Sequence, residues 1–475
     1  MSAFVPDLPA RRGGSFRQVA SVFLGDTGLP FAHVLTADQI CRVFAKHSGL
    51  FGFSGVYSTA MILWAFLNQV LQDGKAASCQ MAVARISSFC LQQGTQPPTA
   101  DTGDYCRARA KLSESALREL NREVADELEN GADESWLWKG HHAKLVDGFT
   151  FTMPDTAKNQ KAYPQHSAPK PGIGFPIARA VTVVSLATAC VMDVAMGRYA
   201  GKRTGEPALL RALIPSFHRN DLAVMDRCYC SFMMIALFLS RGTHVCARQH
   251  QQRHTDFRLG RRLGVCDHVI HWSRPDRPKW MDKATFATIP DTLELREIRF
   301  NVVEKGRRTR TVTVVTTLTD DQEYPKEDIA TLYGFRWNVE LDIRSIKDAL
   351  NLGHLRCKSP EMVRNEFRTT LLAYNLIRSV GMTAAVLHGK QPRQISFVST
   401  CQYVLTSWML LTFGATGQSD LSSYCHSILE LVAACEVGNR PGRLEPRVIK
   451  RRRHGYKLMQ KPRNVLKAEL RKHCT

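Results

Sequence analysis

Two apolar runs in this chain each carry a single aspartate, and few folds accommodate that. In residues 143–151, β-forming residues alternate around Asp147, and in residues 221–231 a short apolar run ends at Asp226 before a helical pattern from Phe232 to Leu239. A carboxylate in such a setting costs several kcal/mol to bury unless a partner or a cation compensates it. The plainer reading is that each Asp is a helix cap or turn residue at a strand end. Neither run alone decides between these.

A third acidic segment lies further on. Tyr333, Arg336, Glu340 and Lys347 are spaced by three, four and seven residues. At about 100° per residue they fall in a sector roughly 60° wide on one helical face. A carboxylate flanked by two cations and a phenol suits a hard metal ion held beside phosphates. A charge ladder that only solvates a helix face is the alternative. The helix is predicted to begin at Pro325, with Glu327 and Asp328 at its favourable end, and to run unbroken to about Leu350.

Together the segments 146–156, 170–179, 221–231 and 333–347 resemble the DDE transposases of bacterial insertion sequences, specifically insertion sequence family four. That family carries a Tyr-x2-Arg-x3-Glu-x6-Lys signature around its third acidic residue, and this chain matches all four positions. Met153-Pro154-Asp155-Thr156 and Lys170-Pro171-Gly172-Ile173-Gly174-Phe175-Pro176 are also similar. The resemblance implies an α/β fold: a ribonuclease H-like mixed sheet with a β-rich insertion before the catalytic Glu helix, plus helical N-terminal and C-terminal regions. It places the first Asp on the central strand and the second at the end of a neighbour.

The implied activity is metal-dependent strand cleavage at transposon ends and strand transfer into target DNA. Asp147, Asp226 and Glu340 are then the catalytic, metal-binding residues, with Asp147 shared by two Mg2+ ions for which Mn2+ can substitute. Tyr333, Arg336 and Lys347 would position the phosphate next to the cut. The partner is double-stranded DNA, and a homodimer assembled on DNA is expected. Two departures stand out. Cys228 follows Arg227 where relatives have Gly, a strained position if it requires positive φ. Where some relatives stack a flipped base on Trp, this chain has Thr311 and Val312, its nearest insertion tryptophans being Trp272 and Trp280, so a hairpin intermediate is left open. A transposase-derived DNA-binding regulator and a metal-dependent nuclease that does not join strands remain alternatives; a two-carboxylate glycosidase would leave Arg336 and Lys347 unexplained.

Composition favours a polyanionic partner. The 475 residues carry 64 Lys and Arg against 43 Asp and Glu, a net charge of +21, so binding should be steeply salt-dependent. A membrane is the weaker partner, because the most apolar stretch, 177–197, contains Arg179 and Asp193 and reads as two strands joined by a turn. The start of the chain lacks a secretory pattern, and a cytoplasmic, nucleoid-associated bacterial protein is expected. The 14 cysteines form no Cys-x-x-Cys pair and read as buried thiols of a reducing compartment. His141 and His142, adjacent on an extended segment, are expected at the surface.

Four regions follow. Residues 1–135 read as a helical, DNA-end-binding region, with helices over 58–71 and 81–91, then one bearing Arg107, Arg109, Lys111 and Arg118 that either grips DNA or solvates a face, its second half capped by Ser113. Residues 136–390 read as the catalytic domain, with 249–322 a β-rich insertion whose hairpin (293–303 and 309–318) turns at Lys305-Gly306-Arg307. Arg307, Arg308 and Arg310 at its tip reach DNA or merely guard an exposed edge. Residues 391–475 form a helical region, with helices over 398–411 and 421–434, and a basic tail that includes Arg451 and Arg452.

Overall fold

A serine or threonine stands just before several apolar helical runs, and each caps its helix. A computed structural model describes residues 35–52, 55–92, 94–167, 172–302, 310–412, 421–438 and 459–473. In chain order the helices before the sheet are α1 (Ala37–Lys46), α2 (Thr59–Val70), α3 (Cys79–Gln92), α4 (Thr102–Arg109) and α5 (Glu114–Asn130). Then come β1 (His142–Thr152), α6 (Ala157–Ala162), β2 (Ile177–Ser185), β3 (Val191–Arg198), α7 (Glu206–Arg211), β4 (Asp221–Met225), α8 (Phe232–Leu239) and β5 (His244–Arg248). Next are β6 (Arg261–Gly264), β7 (Asp267–Ser273), α9 (Lys283–Thr288), β8 (Thr292–Val302) and β9 (Arg310–Thr316). The chain continues with α10 (Lys326–Phe335), α11 (Trp337–Arg344), α12 (Pro360–Leu387), α13 (Phe397–Thr412), α14 (Leu421–Ala434) and α15 (Arg463–His473). Ser58, Ser113, Ser231 and Ser359 accept from the backbone N–H three residues on, at 3.3, 3.3, 3.4 and 3.4 Å, opening α2, α5, α8 and α12.

The described strands form one sheet in the order β3-β2-β1-β4-β5-β9-β8-β7-β6. β1 is antiparallel to β2 and parallel to β4, and β4 is parallel to β5. The 177–197 stretch is indeed two strands, β2 and β3. Strands β6 to β9, within the 249–322 stretch, extend the same sheet by antiparallel pairing of β9 to β5. Alternation along β1 sends Ala143, Leu145, Phe149 and Phe151 into one core and Val146 into the other. Asp147 therefore shares a face with Leu145 and Phe149, while Gly148 looks to the opposite one.

α12 is long and apolar enough to cross a membrane, but it is a core helix, mostly buried in the fold. Phe367 stacks on Phe151 with ring centroids 5.0 Å apart, and the Asn375 side chain both accepts from Val191 N at 2.8 Å and donates to Val191 O at 2.9 Å. α2 is buried on every side, its polar Thr59, Asn68 and Gln69 included.

Three expectations need correction. The predicted single helix from 325 to 350 breaks at Arg336, where Arg336 N bonds Tyr333 O and Val339 N bonds Arg336 O, both three residues back; it then widens into a π turn over Ser345–Ala349. This tightening turns Arg336 inward. His141 is buried, its Nδ1 3.0 Å from Asn220 O and its Nε2 2.9 Å from the Tyr324 hydroxyl. His142 is half-buried against Glu129 at 2.9 Å, whose hydrogen bond raises the imidazole pKa. Both histidines find partners on other elements of the fold. Lastly, Cys228 lies in the 3-10 turn Arg227–Tyr229 and is not among the residues with left-handed φ, so the missing glycine causes no strain.

Asp342 anchors α11. Buried to 2% exposure, it accepts from Arg393 at 3.0 Å and Arg378 at 3.2 Å. Asp342→Ala would strand two guanidiniums inside the fold, and urea denaturation should show a loss of about 3–5 kcal/mol.

Candidate active site

Strand register brings the two aspartates side by side. In the parallel β1·β4 pair Val146 faces Met225, so Asp147 and Asp226 are the next residues of adjacent strands. β4 ends there, whereas β1 runs on, paired with β2 as far as Thr152. The two aspartates thus lie at the carboxyl end of β4, where open α/β sheets commonly bind ligands.

Arg336 joins this pair to Glu340. Its Nη2 lies 3.1 Å from Glu340 Oε1 and its Nη1 3.5 Å from Asp147 Oδ2, while its Nε is buried with no hydrogen-bond partner. The Arg336 side chain is 7% exposed and that of Glu340 44%. Burial alone would lower the Arg336 guanidinium, but Tyr333, Asp147, Asp226 and Glu340 around it raise its pKa instead. For Asp147, burial pushes the carboxyl up to about 6; the Gly148 N–H, donating at 2.8 Å, and Arg336 oppose this, and the charges of Glu340 and Asp226 add to it. Asp147 thus feels Glu340 and Asp226 as well as the guanidinium. Among the described residues no three acidic, His or Cys side chains already stand at metal-holding distances. The carboxylates are gathered, and Arg336 lies between two of them.

The chain has counterparts among known proteins. Residues 138–376, half of the chain, match the family described as transposase DDE domain. The chain belongs to the DDE transposases. Over 402 residues, 83% of this chain and 86% of the relative, it is 26% identical to transposase InsG for insertion sequence element IS4 of Escherichia coli K12. It is also 38% identical over 69 residues, 14% of this chain and 18% of the relative, to the transposase for insertion sequence element IS421 of Escherichia coli. A solved piggyBac transposase synaptic complex with hairpin DNA aligns over 92% of this chain and 88% of that one at 10% identity, with a TM-score of 0.41, too distant to carry an argument. The resemblance to insertion sequence family four is upheld.

The remaining signature residues of the transposase are placed differently from one another. Tyr333 is buried, its ring edge-on to Phe300 at 6.5 Å; burial raises its hydroxyl pKa, which Arg336 opposes and Asp226 reinforces. Lys347 points away from the acids. A methyl built on Gly353 would lie 3.4 Å from Lys347 Cε, and Gly353 O accepts from Thr152 N at the far end of β1.

Of the basic residues predicted in the helical N-terminal region, Arg107 is exposed and paired with Asp104 at 2.5 Å, and Lys111 is exposed beside the Phe51 ring at 5.8 Å. Arg109 is not a surface residue. It is buried between the Phe66 and Tyr105 rings and donates to Gln69 Oε1 at 2.6 Å, so it is spent on the core and cannot reach DNA. Arg118 is likewise tied to Asp193 at 2.7 Å. Arg307, Arg308, Arg451 and Arg452 lie outside the described residues. Trp272 is buried and donates to Glu297 at 2.9 Å, so it offers no face to a base, whereas Trp280 is 38% exposed with Arg211 over its ring at 4.0 Å. Two side chains escaped the motif analysis. Trp337, 41% exposed, stacks on Arg336 at 4.7 Å, and Glu206 lies across Gly148; the only sequence trace of the latter is the glycine after Asp147.

Proposed function

We propose that this transposase cuts DNA at transposon ends and joins the freed ends to target DNA, with Asp147, Asp226 and Glu340 holding divalent cations. The observation that carries this reading is the Arg336 bridge between Asp147 and Glu340, with Asp226 beside them. An all-oxygen donor set in which a carboxyl is pushed up by burial, with the charges of its acidic neighbours adding to it, fits a hard cation, which would offset both costs. Mg2+ held there, with Mn2+ as substitute and two ions expected, supplies charge stabilisation for in-line attack at phosphorus.

The chain's own residues do the rest. Arg336 brings a fork of N–H donors, one without a partner, to the place where a phosphate would sit. Buried Tyr333 packs behind it. Lys347, whose side chain lies beside Gly353 near the Thr152 end of β1, would hold the DNA backbone away from the carboxylates. The strand order, with Asp147 on a central strand and Asp226 at the end of its neighbour, supports a ribonuclease H-like sheet. We assign residues 136–390 to it, 249–322 to an insertion within it, and the helical flanks 1–135 and 391–475 to DNA and partner contacts. A homodimer on DNA, working at the bacterial nucleoid, fits a reaction that must bring two ends together.

Purified protein incubated with transposon-end duplexes and a target plasmid should give cleaved and joined products with Mg2+ and none in EDTA. Binding without cleavage would point to a regulator, and cleavage without joining to a nuclease. End binding should also weaken steeply with salt: six to ten phosphate contacts imply a loss of about 10³ to 10⁵ between roughly 50 and 200 mM salt.

A further inference from the structure

Glu206, the first residue of α7, touches both segments that carry the aspartates. A methyl built on Gly148 would lie 2.5 Å from its Cδ and 2.8 Å from its Oε1. Gly148 does not have a left-handed backbone, so the need for glycine after Asp147 is steric: a side chain there would expel Glu206. The same carboxylate accepts from the Tyr229 hydroxyl at 3.3 Å and the Cys228 thiol at 3.7 Å, both on the turn that Asp226 begins, and Arg179 Nε is 3.8 Å from Oε1.

This contact matters because the sheet has stopped holding that turn. β4 ends at Met225, so the β1·β4 ladder does not extend to Asp226, and the Asp226 side chain makes no capping hydrogen bond. We propose that Glu206 is a positioning residue for the transposase reaction, clamping the Asp226 turn against the Asp147 strand so that the two carboxylates keep the separation that cation binding needs. The proposal rests on the reading that Asp147 and Asp226 hold cations. It also gives Cys228 a use: the thiol that replaces the glycine of relatives is one of the two groups Glu206 holds.

The test uses full-length protein without DNA, titrated with Mn2+ and followed by the electron paramagnetic resonance signal of free ion. Glu206→Ala should weaken Mn2+ binding by about tenfold or more, in line with the loss of an outer carboxylate partner. The Mg2+ concentration for half-maximal cleavage should rise in parallel. Glu206→Gln, whose amide oxygen still accepts from Tyr229 and Cys228, should return both to within about twofold of wild type. Gly148→Ala, which displaces Glu206 without altering it, should match Glu206→Ala. Melting curves of every variant check that the fold persists. Wild-type Mn2+ affinity in Glu206→Ala, or a Glu206→Gln variant as weak as the alanine, overturns the positioning role. If Asp147→Asn also binds Mn2+ normally, the cation reading itself fails; if Asp147→Asn loses the ion while Glu206→Ala keeps it, only the role of Glu206 fails.

Discussion

Asp147→Asn leaves a protein that still binds transposon-end DNA but neither cuts nor joins it, with turnover reduced by on the order of 10³-fold or more. A cation site supplies several kcal/mol of transition-state stabilisation, and about 1.4 kcal/mol is a factor of ten in rate. The same variant should be more stable than wild type when no cation is present. The Asp147 side chain is 21% exposed, and burial raises its pKa from 3.8 to about 6. Between those values the folded protein holds more protons than the unfolded chain, so stability falls as pH rises through that window and the cost stays in place above pH 6. At pH 8 in EDTA, removing the charge should therefore gain about 2 kcal/mol, seen as a higher melting temperature. Mg2+ should raise the melting temperature of wild type and not that of the variant. Retained cleavage, or a lower melting temperature in EDTA, would count against the assignment.

Replacing Arg336 is expected to separate two affinities that the native protein couples. The guanidinium satisfies Asp147 and Glu340 in the absence of DNA and has one buried N–H without a partner. A phosphate arriving at the site competes with the carboxylates for that fork, and a cation competes with the guanidinium for the carboxylates. Each ligand therefore frees the partner that the other requires, and by linkage each should tighten the other's binding by the same factor. Arg336→Gln removes the internal counterion. In calorimetry without DNA it should bind Mn2+ more tightly, by about tenfold, whereas cleavage of end DNA should fall by about 10² to 10³, the usual loss when one preorganised donor is removed. DNA and Ca2+ should no longer strengthen each other in this variant. Arg336→Lys should not restore the behaviour, since a lysine cannot present two parallel donors. Weaker Mn2+ binding in Arg336→Gln would refute the counterion role.

Local signals in the chain marked many of its elements with small errors. Ser113 caps α5 as predicted, and the run from Phe232 to Leu239 is α8 as predicted. The alternation around Asp147 became an eleven-residue strand, and the β-branched runs flanking residue 306 became β8 and β9. What failed were judgements about where single polar side chains end up. Arg109, His141 and His142 belong to polar, surface-prone types, yet each is drawn inward by a partner on another element: Gln69, Asn220 with Tyr324, and Glu129. Periodicity reports which face a residue occupies and nothing about what meets that face.

Sequence by itself singled out the three carboxylates proposed here to hold cations, and the kinds of element that carry them, because strand alternation and signature spacing are local properties of the chain. Tertiary structure decided how they are held. The register of β1 against β4 sets Asp147 beside Asp226. The tightened turn at Arg336 places a guanidinium between two acids, and α7 delivers Glu206 onto Gly148. Those are contacts between segments whose partners no local pattern names, since they depend on long-range packing and on the balance of charge burial that only the assembled sheet and helices impose.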